Sequence, residues 1–337
     1  MRIFHLLIFV FFLLASLFVG SYFRDIISLS DFSIANSKAI FVGPRSLNQY
    51  TIQSLGKRSF HGSGFRVEKT LSDNSTHTSH LFSFMTSEKK ITGLMNAPKG
   101  NGPFSVVLMI RGYVDRKKYA TGMGTQRVGE VFADKGYLTL APDFLGYGGS
   151  DDPSVEPLEE RFQTYTTFLD LYGLISSFPE EKPLSEGIKI DSSKIYIWSH
   201  SNGGQVALTF LGVTGKEIPT VLWAPVSKPF PYSILYFTDE ADDHGRALRK
   251  VVSKFETLYD VNRYSISEYL NQIKAPILLQ QGTKDESVPK SWSDELNRNL
   301  NLLGKDVVYE VYEGADHNLL GSWTGAVKKD LEFFYSR

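Results

Sequence analysis

Six short apolar runs, each ending in polar or small residues, limit how this chain can fold. They are FSVVLMI (104–110), YLTLAPD (137–143), KIYIWSH (194–200), PTVLWAP (219–225), APILLQQGTKD (275–285) and DVVYEVYEGADH (306–317). Between them lie stretches of helical character: around Gln126 to Lys135, over EERFQTYTTFLDLYGLISSF up to Pro179, after Ser201, and near Gly325 to Tyr335. A strand that is apolar along its whole length has no solvent face. Such strands must be covered on both sides, which predicts an α/β architecture, a mostly parallel sheet with helices on both faces. From Phe60 to Asn96 the pattern is also β-like and predicts antiparallel strands that open the sheet.

The chain has 337 residues, 42% of them hydrophobic, which is enough for one large domain with extensions. Its net charge of -1 gives no electrostatic case for nucleic acid. With no cysteine, disulfides, thiolate metal sites and a cysteine nucleophile are excluded.

Residues 1–23 hold an almost unbroken apolar run from Ile3 to Phe23, at roughly 20 residues long enough to span a bilayer. It is read as a transmembrane anchor, with a signal peptide cleaved near Val19-Gly20-Ser21 as the alternative. Arg2 before the run is expected to put the bulk of the chain on the extracytoplasmic side, or secreted if the segment is cleaved. Residues 24–59 read as a stalk with a short helix around Ser46 to Leu55, and residues 60–337 as the main α/β domain. Val226 to Leu270 is too long for a plain connection and rich in Tyr and Phe, so residues 226–270 are expected to form a helical lid.

In a sheet of this kind, ligands bind outside the carboxyl ends of the strands. Three residues with nucleophilic or acid–base chemistry stand there in the order Ser201, Asp285, His317. A nucleophilic serine on a sharp strand-to-helix turn needs small neighbours two positions before and after, here Ser199 and Gly203, with Gly204 letting the helix pack closely. Only Ser201 of the two serines has the glycine at the right offset. His317 would act as base and Asp285 would orient it. The backbone N–H of Asn202 would supply one oxyanion donor.

SHSNGG (199–204), APDFLGYGGSDD (141–152), APILLQQGTKDESVP (275–289) and GADHNLL (314–320) resemble the α/β-hydrolase superfamily. Within it they are similar to the catalytic domain of prolyl oligopeptidase-like serine peptidases and their acyl-esterase relatives. The resemblance covers about Phe82 to the last residue and includes no β-propeller. It implies a second oxyanion donor in IRGYVDRKKY, after the strand 104–110, at Tyr113, through its N–H or, as in the peptidase branch, its hydroxyl. Two departures stand out: Ser199 where the family pattern has glycine, and Arg111 where relatives often have histidine. Arg111 is read as a salt-bridge partner of a carboxylate such as Asp143, or else as a binder of a substrate carboxylate.

The expected activity is a serine hydrolase working through an acyl-enzyme on short peptides, with a carboxylic-ester hydrolase as the alternative. A non-catalytic binding protein on the same scaffold is the rival of a different class. Neither cofactor nor metal is expected. Asp239, Glu240, Asp242, Asp243 and His244 read as a solvated charge run, and Asn74-Ser75-Thr76 as a polar turn.

Overall fold

The computed structural model describes residues 46–337 except 88, 180, 181, 186 and 239–242. The segment expected to be an anchor or signal peptide, residues 1–23, and the stalk up to residue 45 lie outside the described residues. Among the described residues, no helix is long and apolar enough to cross a membrane.

Among the described residues, nine strands form one sheet: β1 (Ser63–Asp73), β2 (His77–Thr86), β3 (Lys89–Pro98), β4 (Phe104–Ile110), β5 (Leu138–Pro142), β6 (Ile190–His200), β7 (Thr220–Trp223), β8 (Ile277–Gly282) and β9 (Val307–Tyr312). Their spatial order is β1-β2-β3-β5-β4-β6-β7-β8-β9. The first three strands and the β3–β5 pair are antiparallel, and every later pairing is parallel. In the turn between β1 and β2, the Asn74 side-chain oxygen accepts from the backbone N–H groups of Thr76 and His77, both at 2.9 Å, as expected of a polar turn.

The apolar runs divide cleanly between the two faces. Val106, Leu108 and Ile110 of β4 enter one core with Ile195 and Ile197 of β6 and Ile277 and Leu279 of β8. Val107, Met109, Tyr196, Trp198 and Leu278 enter the other. This two-residue period with both phases apolar explains the continuous runs in the sequence. The first face is covered by α3 (Pro157–Ser176), α4 (Asn202–Thr214) and α7 (Lys290–Leu302), the second by α2 (Gln126–Asp134) and α8 (Trp323–Tyr335).

The stalk expectation fails for its described part. Leu47, Tyr50, Ile52 and Leu55 are buried in the first core, around a 3-10 turn (Ser46–Tyr50) and a one-turn helix α1 (Ile52–Leu55). The compact unit therefore begins at Leu47 rather than at residue 60.

Residues 226–270 do form helical structure: α5 (Tyr232–Leu235), α6 (Arg246–Leu258) and two 3-10 segments. The aromatic residues of this stretch are anchors. Phe230, Phe255 and Tyr264 surround the ring of Phe162 on α3, at centroid distances of 5.7, 6.2 and 5.2 Å. Of the expected charge run, Asp239, Glu240 and Asp242 lie outside the described residues. The Asp243 carboxylate accepts from the N–H groups of Gly245 (2.8 Å) and Ala247 (2.7 Å) and so caps the start of α6.

Candidate active site

The parallel strands bring their carboxyl ends to one edge. Ile110 pairs with Ser199, His200 with Trp223, and Gly282 with Tyr312. The loops that follow these ends hold the three candidate residues.

Ser201 sits between β6 and α4 with φ 56 and ψ -122, outside the regions an L-residue normally occupies. It is held there from three directions. Its N–H donates to the Trp223 carbonyl at 2.9 Å, and its own carbonyl accepts from Gly204 and Val226, both at 2.9 Å. The neighbouring glycine is obligatory: a Cβ on Gly203 would stand 2.3 Å from the Ile110 carbonyl oxygen. Serine is tolerated at 199 because its fully buried hydroxyl donates to the Val221 carbonyl, at 3.2 Å on the adjacent strand.

Asp285 and His317 are brought together, with Asp285 Oδ2 2.8 Å from His317 Nδ1. The Asp285 side chain is fully buried and that of His317 is 16% exposed. Burial pushes the Asp285 carboxyl up, but the hydrogen bond and charge of His317, the Val288 N–H and the Gln281 amide together hold it below its ordinary value. An ionised carboxylate only accepts, so His317 Nδ1 carries the proton and Nε2 is left as the basic nitrogen. Among the described residues no hydrogen bond joins Ser201 Oγ to the imidazole. Such contacts are often long in free enzymes and tighten with substrate.

Three supporting residues were not singled out from sequence. Gln281 Nε2 donates to Asp285 Oδ2 at 2.8 Å, and its own oxygen accepts from Ser293 at 2.8 Å. A glutamine pair at the end of an otherwise apolar strand was the available signal. His200 Nε2 donates to the His317 carbonyl at 2.9 Å, and the two rings lie 4.6 Å apart. Burial, with the charge of His317 adding to it, lowers the pKa of His200 to about 4, so it is a neutral brace on the loop that carries His317. Arg161, on α3, meets the first turn of α4 through Asn202 and Gln205.

Arg111 makes no salt bridge to Asp143 among the described residues. It donates to the backbone carbonyls of Gly112 and Asp143, each at 2.9 Å, and its guanidinium lies 4.6 and 4.0 Å from the ring centres of Tyr119 and Tyr147. The Asp143 carboxylate is taken instead by Thr92, Tyr119 and Thr121 at 2.5, 2.6 and 2.9 Å. Arg111 thus ties the loop after β4 to the loop after β5.

The loop after β4 brings Gly112 against Ser201: a Cβ there would lie 2.8 Å from Ser201 Cβ. Tyr113 follows, 75% exposed, and no hydrogen bond holds its hydroxyl among the described residues. A pocket of about 260 Å3 opens beside Asn202, lined also by Gly112, Tyr113, Arg161, Ile234 and Leu248. A larger cavity of about 590 Å3 lies on the His200 side, lined by Trp198, Trp223, Asn318 and Trp323 among others. The smaller pocket is the one that contains the expected oxyanion donors.

The family model of the prolyl oligopeptidases matches residues 181–335, which hold all three candidate catalytic residues. An uncharacterized peptidase of Bacillus subtilis (strain 168), YtmA, is 24% identical over 239 residues, covering 69% of this chain and 84% of that one. Among solved structures, acetyl xylan esterase 1 from Thermoanaerobacterium sp. JW/SL YS485 superposes with a TM-score of 0.60 at 15% identity, covering 87% of this chain and 94% of that one. The acylaminoacyl peptidase of Pyrococcus horikoshii superposes with a TM-score of 0.56 at 20% identity, covering 77% of this chain but 42% of that one. At these identities the likeness to solved structures establishes the shared fold.

Proposed function

We propose that this chain, a serine hydrolase on the α/β-hydrolase fold whose residues 181–335 match the prolyl oligopeptidase family, cleaves short peptides through an acyl-enzyme. One observation carries the reading: Ser201 is held in a strained turn at the strand edge where His317 and Asp285 are already paired. His317 Nε2 takes the Ser201 proton as Oγ bonds to the scissile carbonyl carbon. The N–H of Asn202 and a donor from Tyr113 receive the oxyanion. The protonated imidazole then gives its proton to the leaving group as the carbonyl–leaving-group bond breaks, and water repeats the attack to release the acid.

Ester hydrolysis is the second reading. The fold is shared along most of its length with an acetyl xylan esterase, which favours a role on acyl esters. Residues 226–270 border the site through Ile234 and Leu248, in keeping with a lid over the acyl pocket.

Labelling with a fluorophosphonate probe tests the nucleophile. Ser201→Ala should abolish labelling and Ser199→Gly should keep it; labelling that survives in Ser201→Ala rejects the assignment. A panel of peptide anilides and short acyl esters then separates the two substrate classes.

A further inference from the structure

We propose, resting on the acyl-enzyme reading above, that Arg161 selects substrates whose acyl portion carries a carboxylate. Arg161 lies in the first turns of α3 and lines the pocket beside Asn202. Its Nη2 donates to the side-chain oxygen of Gln205 and, at 3.4 Å, to that of Asn202. Both partners are neutral amides, and both belong to the helix that starts at the nucleophile. The Arg161 Nε–H is buried without an acceptor. Among the described residues no carboxylate forms an ion pair with it.

The other charges near the pocket are already committed. Glu160 pairs with Arg116, and Glu159 accepts from Tyr50 and Ser154. Arg111 is fixed by two carbonyls and two aromatic rings. Arg161 is therefore a guanidinium with donors to spare and no counter-charge among the described residues, in a partly water-excluded wall. A planar fork of N–H groups in that position is suited to one ligand above others, a carboxylate.

Two further features narrow the substrate. The rest of the wall is largely apolar, with Leu145, Leu158, Val206, Ile234 and Leu248, which suits a methylene chain. At about 260 Å3 the pocket is smaller than the roughly 300–1,000 Å3 usual for small-molecule sites, so the group it takes is short. The pocket also identifies which half of the substrate enters. Asn202 and Gly112 flank the carbonyl-binding position, whereas the leaving group must depart past His317, next to the cavity lined by His200 and Asn318. The carboxylate therefore belongs to the acyl half: an acidic aminoacyl residue or the half-ester of a dicarboxylic acid.

The test uses the full chain and two matched pairs of substrates. One pair is acetyl-Glu and acetyl-Gln p-nitroanilide; the other is p-nitrophenyl hemiglutarate and p-nitrophenyl hexanoate. The anionic member should be preferred in at least one pair, and the pair that shows it identifies the source of the carboxylate. In Arg161→Gln the anionic-to-neutral ratio of kcat/KM should fall roughly 10- to 100-fold, the range for losing a charge-assisted hydrogen bond, while Arg161→Lys keeps part of it. A purely structural Arg161 would lower both members together and leave the ratio unchanged. A wild-type enzyme without anionic preference in either pair overturns the proposal, and that measurement stands even if the variant is not recovered. So does a ratio in Arg161→Gln within twofold of wild type. An enzyme that turns over no substrate and does not react with a fluorophosphonate would instead reject the hydrolase reading itself.

Discussion

Asp285 and Arg161 are both charged groups of the candidate site, and their surroundings are opposite. Asp285 accepts four hydrogen bonds, from His317, Gln281, Ser287 and Val288, at 2.8 to 2.9 Å. Its capacity is filled by the chain itself. Among the described residues Arg161 meets only two neutral amides and keeps a buried donor unused. The hydrogen bonding around Asp285 is complete without a ligand, and that around Arg161 is not. Preorganisation is needed where charge develops in the transition state, whereas selectivity can reside in groups that only a substrate completes.

The largest blow to this contrast should come from the finished side. Asp285→Asn is expected to lower kcat by about 10⁴ with little change in KM, because an amide stabilises the wrong imidazole tautomer. Steady-state kinetics on one good substrate checks it; near-normal turnover would mean that another carboxylate, Asp316 first, orients His317. Gly112→Ala comes next. The added methyl would press on Ser201 Cβ from 2.8 Å, and a displacement of that kind costs about 10² in kcat. Unchanged kcat in a folded Gly112→Ala enzyme would show that the loop yields more easily than its bracing by Arg111 implies. The smallest effect belongs to Tyr113→Phe. A hydroxyl that nothing holds is not preorganised, so kcat should stay within about threefold of wild type. A loss of about 10² or more would return the phenol to the oxyanion hole and move Tyr113 to the finished side of the comparison.

Much of this could be read from the residues in order. Five of the six apolar runs form strands with both phases of their two-residue period buried, a pattern that only a sheet covered on both faces satisfies, and the sixth, β9, lies at the sheet edge with Val308 and Val311 exposed. SHSNGG identified the turn because the required small residues are adjacent in sequence. What escaped depends on distance along the chain. His200 braces a carbonyl 117 residues away, and Arg161 reaches amides 41 and 44 residues away. No local pattern encodes such partners. Of the two readings of Arg111, the salt bridge to Asp143 has the right neighbour but the wrong atom, because spacing does not reveal that three hydroxyls already occupy the carboxylate. The short helix over Ser46 to Leu55 is legible, but the burial of Leu47, Tyr50, Ile52 and Leu55 is not, because a single turn is too short to show an apolar period.

The backbone of Ser201 has a consequence for how such a chain can be improved. A non-glycine residue held at φ 56 and ψ -122 stores about 1–3 kcal/mol, a sizeable part of the 5–15 kcal/mol by which domains are stable. Relaxing that turn would make a sturdier protein and withdraw Ser201 from its place at the strand edge. Thermal hardening of this enzyme, by selection or by design, is therefore closed at the elbow. It has to be sought in surfaces and loops that the catalytic edge does not depend on.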